Sequence, residues 1–196
     1  DDWWEDTVTY HSQPLKMGWS ESITIYPGAH TATFQVSEPV QDAWLSNKRF
    51  ISFYIESSSG DALFHTKETD ATLSQLPVNL QVKVKGDFGS SQAPDKTPTP
   101  SVDYRLFCPC REDAHVQPYT NPNNNFGSDP YVLLDGRLCE GFFRYWLPDV
   151  TSEQLAGGDI VLFPKTYPPQ TTESALNIYK VLEPWSEDTI TGATLP

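Results

Sequence analysis

In VNLQVKVK, residues 78–85, Val78, Leu80, Val82 and Val84 alternate with Asn79, Gln81, Lys83 and Lys85. A period of two is that of an extended strand, whose side chains point by turns to opposite faces. One oily and one wet face is what the strand of a two-layer antiparallel structure carries. The pattern recurs. Ala32, Phe34 and Val36 alternate with Thr31, Thr33 and Gln35, and Ile51, Phe53 and Ile55 share a face. Further strands are expected at Tyr104–Cys108, Tyr131–Leu134, Gly141–Leu147, Ile160–Phe163 and Ala175–Leu182. The turn-rich segments TNPNNNFGSDP (120–130) and KTYPPQTTES (165–174) lie between them. The only helical signal is a turn or two around Val40–Leu45, after Glu38-Pro39. These spacings predict an all-β fold, an antiparallel β-sandwich of jelly-roll type with few short helical turns. A chain of 196 residues with 13% aromatic content is large enough to bury its core.

Between the strands of the two halves lies GDFGSSQAPDKTPTPS (86–101), which has no hydrophobic period. It divides the chain into residues 1–86, a linker at 87–101, and residues 102–196. The segment is read as a plain linker, with Thr97, Thr99 and Ser101 as O-glycan acceptors if the protein is secreted. With 13 basic against 26 acidic residues the net charge is −13, which argues against binding a phosphate backbone. No stretch reaches the roughly 20 apolar residues of a membrane helix. No signal peptide is visible and the chain opens on Asp1-Asp2, so a mature or excised extracellular or cell-surface piece is expected. Asn-x-Ser/Thr is absent.

One phrase occurs twice. WWEDTVTYHSQP (3–14) aligns without a gap to WSEDTITGATLP (185–196): Trp3 with Trp185, Glu5-Asp6-Thr7 with Glu187-Asp188-Thr189, Thr9 with Thr191, and Pro14 with Pro196. Val8 and Ile190 are a β-branched pair. The copies part where Tyr10-His11 meets Gly192-Ala193.

The order of motifs resembles the DNRLRE-type, alginate-binding carbohydrate-binding-module family. DAHVQPYTNPNNNFGSDPYVLL, GFFRYWLPDV, DIVLF and ALNIYKVLEPWSEDTIT look like the family's first half, with its Asn-rich loop and Trp-x-Glu-x-Thr motif. WWEDTVTYHSQP, ATFQVSEPVQDAWL, RFISFYIES, ALFHTKE and LPVNLQVKV look like its second half. The halves stand in inverted order, and Trp146 occupies a position where the family carries Asp. The resemblance implies a jelly roll without catalytic machinery.

A half-sandwich exposes an oily face and unpaired strand edges, so the halves must pair. Pairing within the chain gives a permuted single domain. Pairing between chains, or between neighbouring repeats 182 residues apart (185 − 3), gives a head-to-tail filament or surface array. The leading expectation is a non-enzymatic extracellular building block that self-assembles with copies of itself. The alternative is a polysaccharide-binding module. For the first, Trp4, Tyr10, His11, Trp185, Thr189 and Pro196 are the expected interface. For the second, Trp3, Trp4, Tyr10, Trp19 and Tyr119 are the expected sugar-stacking residues, with Trp44 a further flat face. A large aromatic is otherwise a core residue. A −13 protein would hold an anionic glycan only through a basic patch or bridging Ca²⁺, and Lys48-Arg49 and Lys83/Lys85 are the visible basic pairs.

His11, His30, His65 and His115 are scattered, and no nucleophile elbow or phosphate-cradling glycine loop occurs, so no catalytic site is assigned. Asn123, Asn125 and Asp129 of the Asn-rich loop, joined by Asp113 and Asp135, offer the hard oxygens Ca²⁺ takes. Equally, Asn and Asp brace turns by themselves. Cys108-Pro109-Cys110 is too sparse for zinc. A disulfide from Cys139 to Cys108 or Cys110 is expected in an extracellular protein, leaving one thiol free or available to a neighbouring chain.

Overall fold

The computed structural model describes residues 19–69, 78–85, 103–136, 138–150, 154–165, 172–182 and 184–193. They form β1 (Ser20–Ile25), β2 (Ala32–Gln35), α1 (Ser37–Leu45), β3 (Phe50–Ser59), β4 (Asp61–His65) and β5 (Asn79–Lys85). After these come β6 (Asp103–Val116), β7 (Tyr131–Asp135), β8 (Glu140–Trp146), β9 (Leu155–Leu162) and β10 (Ser174–Val181). All strand pairings are antiparallel, and the expected all-β sandwich is what forms. The front sheet runs β1-β10-β3-β8-β6, and the back sheet runs β6-β5-β9-β2.

β6 belongs to both sheets. Its first part, Asp103–Pro109, pairs with β5, and its second, Cys110–Val116, pairs with β8. Pro109 lies at the changeover. Proline has no N–H for a ladder and is tolerated where pairing breaks. The next amide, Cys110 N–H, donates to Val78 O (3.2 Å). A smaller sheet, β4-β7, is tied to the chain after β9 by His65 N–H to Phe163 O (3.0 Å) and Lys165 N–H to Leu63 O (2.7 Å). It crosses close above β8 at Gly141, where a Cβ would stand 2.9 Å from Val132 Cγ1.

Seven of the eight pairings between described strands join a strand before residue 86 to one after residue 102. The two halves thus complete each other inside one chain, and their alternating oily faces share one core. Phe34, Phe53, Phe64, Leu80, Phe143, Tyr145, Ile160 and Ile178 are fully buried in it. The linker 87–101 lies outside the described residues.

α1 starts earlier than its sequence signal: no side chain caps it, Ser37 ties its first turn to β9, and Pro39 fits that turn. Ser37 Oγ accepts the Gly158 N–H (3.2 Å), and Pro39 sits in the first turn, where no N–H is needed. Asn47 ends the helix in the left-handed region, at φ 54°, a conformation that Asn adopts more readily than most residues. No helix among the described residues is long and apolar enough to cross a membrane.

Candidate functional site

On β8, Phe143 and Tyr145 point into the core, so Phe142, Arg144 and Trp146 point out. The register sets Phe50, Ser52 and Tyr54 of β3 opposite Trp146, Arg144 and Phe142. The outer face of the front sheet therefore carries an aromatic row with one cation in it.

Half of that row is covered. Trp185 packs edge-on against Phe142 (centroids 5.7 Å apart, planes at 61°). With Ile190, Tyr54, Ala114, Val116 and Val181 it makes a second small core outside the sheet. The segment 184–193 is clamped at both edges. Arg144 donates to Trp185 O (3.2 Å) and pairs with Glu112 (3.1 Å), whose other oxygen accepts the Glu187 N–H (3.3 Å). Asn125 Nδ2 donates to Glu187 O (2.6 Å) and Ile190 O (2.8 Å). Lys67 bridges Glu187 and Glu68.

Under this clamp lies Asp113, fully buried. Its Oδ2 accepts the Lys67 N–H (3.1 Å), and its Oδ1 has no hydrogen-bond partner among the described residues. Burial pushes its pKa up to about 7, against the lowering pull of the Lys67 amide and ammonium. Burial raises Glu187 too, with Lys67 opposing.

The other half of the row is open. Trp146 is 47% exposed, and its ring stands edge-on to Phe50 (4.8 Å, 68°), while the Arg144 guanidinium lies 4.4 Å from the centroid of the Phe50 ring. Phe50 thus packs against both the indole and the cation. Two clefts border Trp146. One, of 510 Å³, opens where Pro109 bends β6, and Phe107, Arg111, Lys67 and Pro148 line it. The other, of 260 Å³, lies at the end of α1, lined by Trp44, Lys48, Arg49 and Asp149. The left-handed turn at Asn47 brings Lys48-Arg49 there, held by Lys48 N–H to Ala43 O (2.9 Å) and Leu147 N–H to Arg49 O (2.9 Å).

The residues expected from sequence are dispersed. Trp3, Trp4, Tyr10, His11 and Pro196 lie outside the described residues. Trp19 is half-buried against Phe53 (6.3 Å) at the edge of the core, and Tyr119 is exposed in the turn after β6. Trp185 is buried within its own chain, while Thr189 is exposed beside it. Asn125 uses both ends of its amide internally, its Oδ1 accepting the Gly127 N–H (3.1 Å), which is the turn-bracing role. Asn123 is exposed in the same loop, and Asp129 O accepts from Thr66 Oγ1 (3.0 Å). Asp135 sits on β7 opposite Asp61, away from the loop and from Asp113 on β6. Burial raises its pKa, and so does Asp61 beside it.

The expected disulfide gives way to free thiols. Cys108, Cys110 and Cys139 are all buried and unbridged. Cys110 pairs with Tyr145 at one end of β8, and Cys139 precedes Glu140 at the other. That is about 20 Å at a strand's rise, beyond the roughly 7 Å between Cα atoms that a bridge spans. Burial pushes the Cys108 and Cys139 thiols up to about 11.

Comparisons with known proteins return no match: no family model, curated protein or solved structure is similar to this chain.

Proposed function

We propose that this chain is a non-enzymatic, extracellular module that binds an acidic polysaccharide across Trp146 and the clefts beside it. One observation carries the reading: a half-exposed indole, packed against Phe50, borders two clefts, one lined by Lys48 and Arg49 and the other by Arg111, in a chain of charge −13. An exposed aromatic offers its flat face to the apolar face of a sugar ring. Guanidinium groups in the two clefts suit carboxylate or sulfate substituents, which they bind through paired hydrogen bonds. Cations gathered in this place offset a field that otherwise repels polyanions.

The pairing of the halves within the chain supports this reading over assembly by half-domain exchange, since neither half needs a neighbour to cover its core. Affinity electrophoresis and calorimetry against acidic and neutral polysaccharides test it. Binding is expected to acidic chains, to weaken with added salt, and to vanish in Trp146→Ala while the fold is kept. Equal binding by Trp146→Ala, or no binding to any polysaccharide, would overturn it.

A further inference from the structure

Residues 184–193 lie in a groove over the covered half of the front sheet, and the chain carries their phrase twice. Three side chains of residues 184–193 do the anchoring. Trp185 fills the hollow over Phe142, Glu187 meets Lys67, and Ile190 closes the small core against Val116 and Val181. Between them the backbone makes one tight turn, with Ser186 O accepting from Thr189 N–H (3.2 Å) and Ile190 N–H (2.9 Å). The first copy has the same chemistry at every anchor: Trp3 for Trp185, Glu5 for Glu187 and Val8 for Ile190, with Asp6-Thr7 in the turn.

The wall of the groove contacts backbone as well as side chains. Asn125 and Arg144 bind the carbonyls of positions 185, 187 and 190, which any sequence supplies. Gly127 lies so close that a Cβ there would meet Glu187 O. Selectivity thus rests on the three anchors, which the copies share, and on one further position. A Cβ at Gly192 would fall 2.6 Å from Pro118 Cα and 2.8 Å from Pro118 N. That wall is backbone and gives way poorly. The first copy has Tyr10 at this place, so it matches the groove through Thr9 and must leave it there.

We propose that this groove is an interaction site for the phrase itself, and that residues 3–9 of a second copy of the chain enter it in place of the chain's own residues 185–191. The docked segment is a peripheral flap on the outer face of a sheet whose main core it does not touch, so it exchanges without unfolding the sandwich. The mismatch at Tyr10 makes the second copy the weaker occupant, which keeps the chain's own segment in place until it is loosened. The partner is another molecule of this chain, and the proposal stands independently of the glycan reading.

The test uses the full chain with both tryptophans removed, Trp3→Ala/Trp185→Ala, and fluorescently labelled peptides of residues 1–14 and 184–196. Both peptides are expected to bind saturably, with residues 1–14 the weaker. Tyr10→Gly in that peptide should tighten it about tenfold, and Trp3→Ala should abolish binding. In parallel, Trp185→Ala alone should form concentration-dependent oligomers by light scattering, absent in the double variant. If loss of Trp185 unfolds the sandwich, Glu187→Ala replaces it, which loosens the segment without emptying the hollow over Phe142. Binding of 184–196 but not of 1–14 would overturn the shared recognition, and binding of neither would overturn the groove. A Trp185→Ala chain that stays monomeric at all concentrations would overturn the second copy as partner.

Discussion

Replacing Asp113 by Asn should change how stability depends on pH, with a sign that burial dictates. Asp113 is fully buried, and its pKa rises from 3.8 to about 7, first because burial disfavours the charge. Between those values the native state holds a proton that the unfolded chain has lost. Stability therefore falls as pH rises through that window. The contribution is fully present below about pH 4 and gone above about pH 7. About three pKa units correspond to roughly 4 kcal/mol, a figure in which the pull of Lys67 toward ionisation is already included. Asn cannot ionise and still accepts the Lys67 N–H at its Oδ1. Urea denaturation of both proteins from pH 4 to pH 8 measures the difference. The wild-type free energy should decline relative to Asp113→Asn across the interval, with the variant the more stable at pH 8. Parallel profiles would refute the buried-carboxyl account. A wild type that gained stability relative to the variant would show instead that Lys67 dominates the site.

Trp19→Ala should cost about 2–3 kcal/mol, less than a fully buried Trp because the ring is half-exposed, and leave polysaccharide binding unchanged; chemical denaturation beside affinity electrophoresis checks both. Gly127→Ala should loosen the docked segment, because its Cβ meets the Glu187 carbonyl, and hydrogen exchange should speed at the Glu187 and Ile190 amides while the sheet amides stay protected. The melting temperature should be the same with and without reductant, and a thiol reagent should react slowly with the native protein but with all three cysteines after denaturation.

Much of the architecture was legible because strand faces follow from local alternation. β5 shows this best: Leu80, Val82 and Val84 face the core as their spacing required. The helix at Ser37–Leu45 was visible as a turn or two, its start hidden because Ser37 finds its partner at Gly158, over a hundred residues away. β1 was harder to see. SESITI has a mostly polar composition, and it is an edge strand held on one side by β10. In the candidate site, Lys48-Arg49 stood out as a basic pair, but nothing local showed that the Asn47 turn would carry it to Trp146.

By itself the sequence determined the class of fold, which side chains share a face, and that one phrase recurs. Those properties depend on neighbours a few residues apart. Only the tertiary structure decided that strands across the linker pair with one another, that Cys110 and Cys139 sit at opposite ends of β8, and which outward aromatics are covered. Phe142 and Trp146 lie on the same face of the same strand, and alternation treats them alike. One is sealed by Trp185 and the other stands in solvent because a segment 43 residues further along (185 − 142) docks over the first and stops short of the second. Periodicity tells which way a side chain points, and what lies above it is set by contacts between distant parts of the chain.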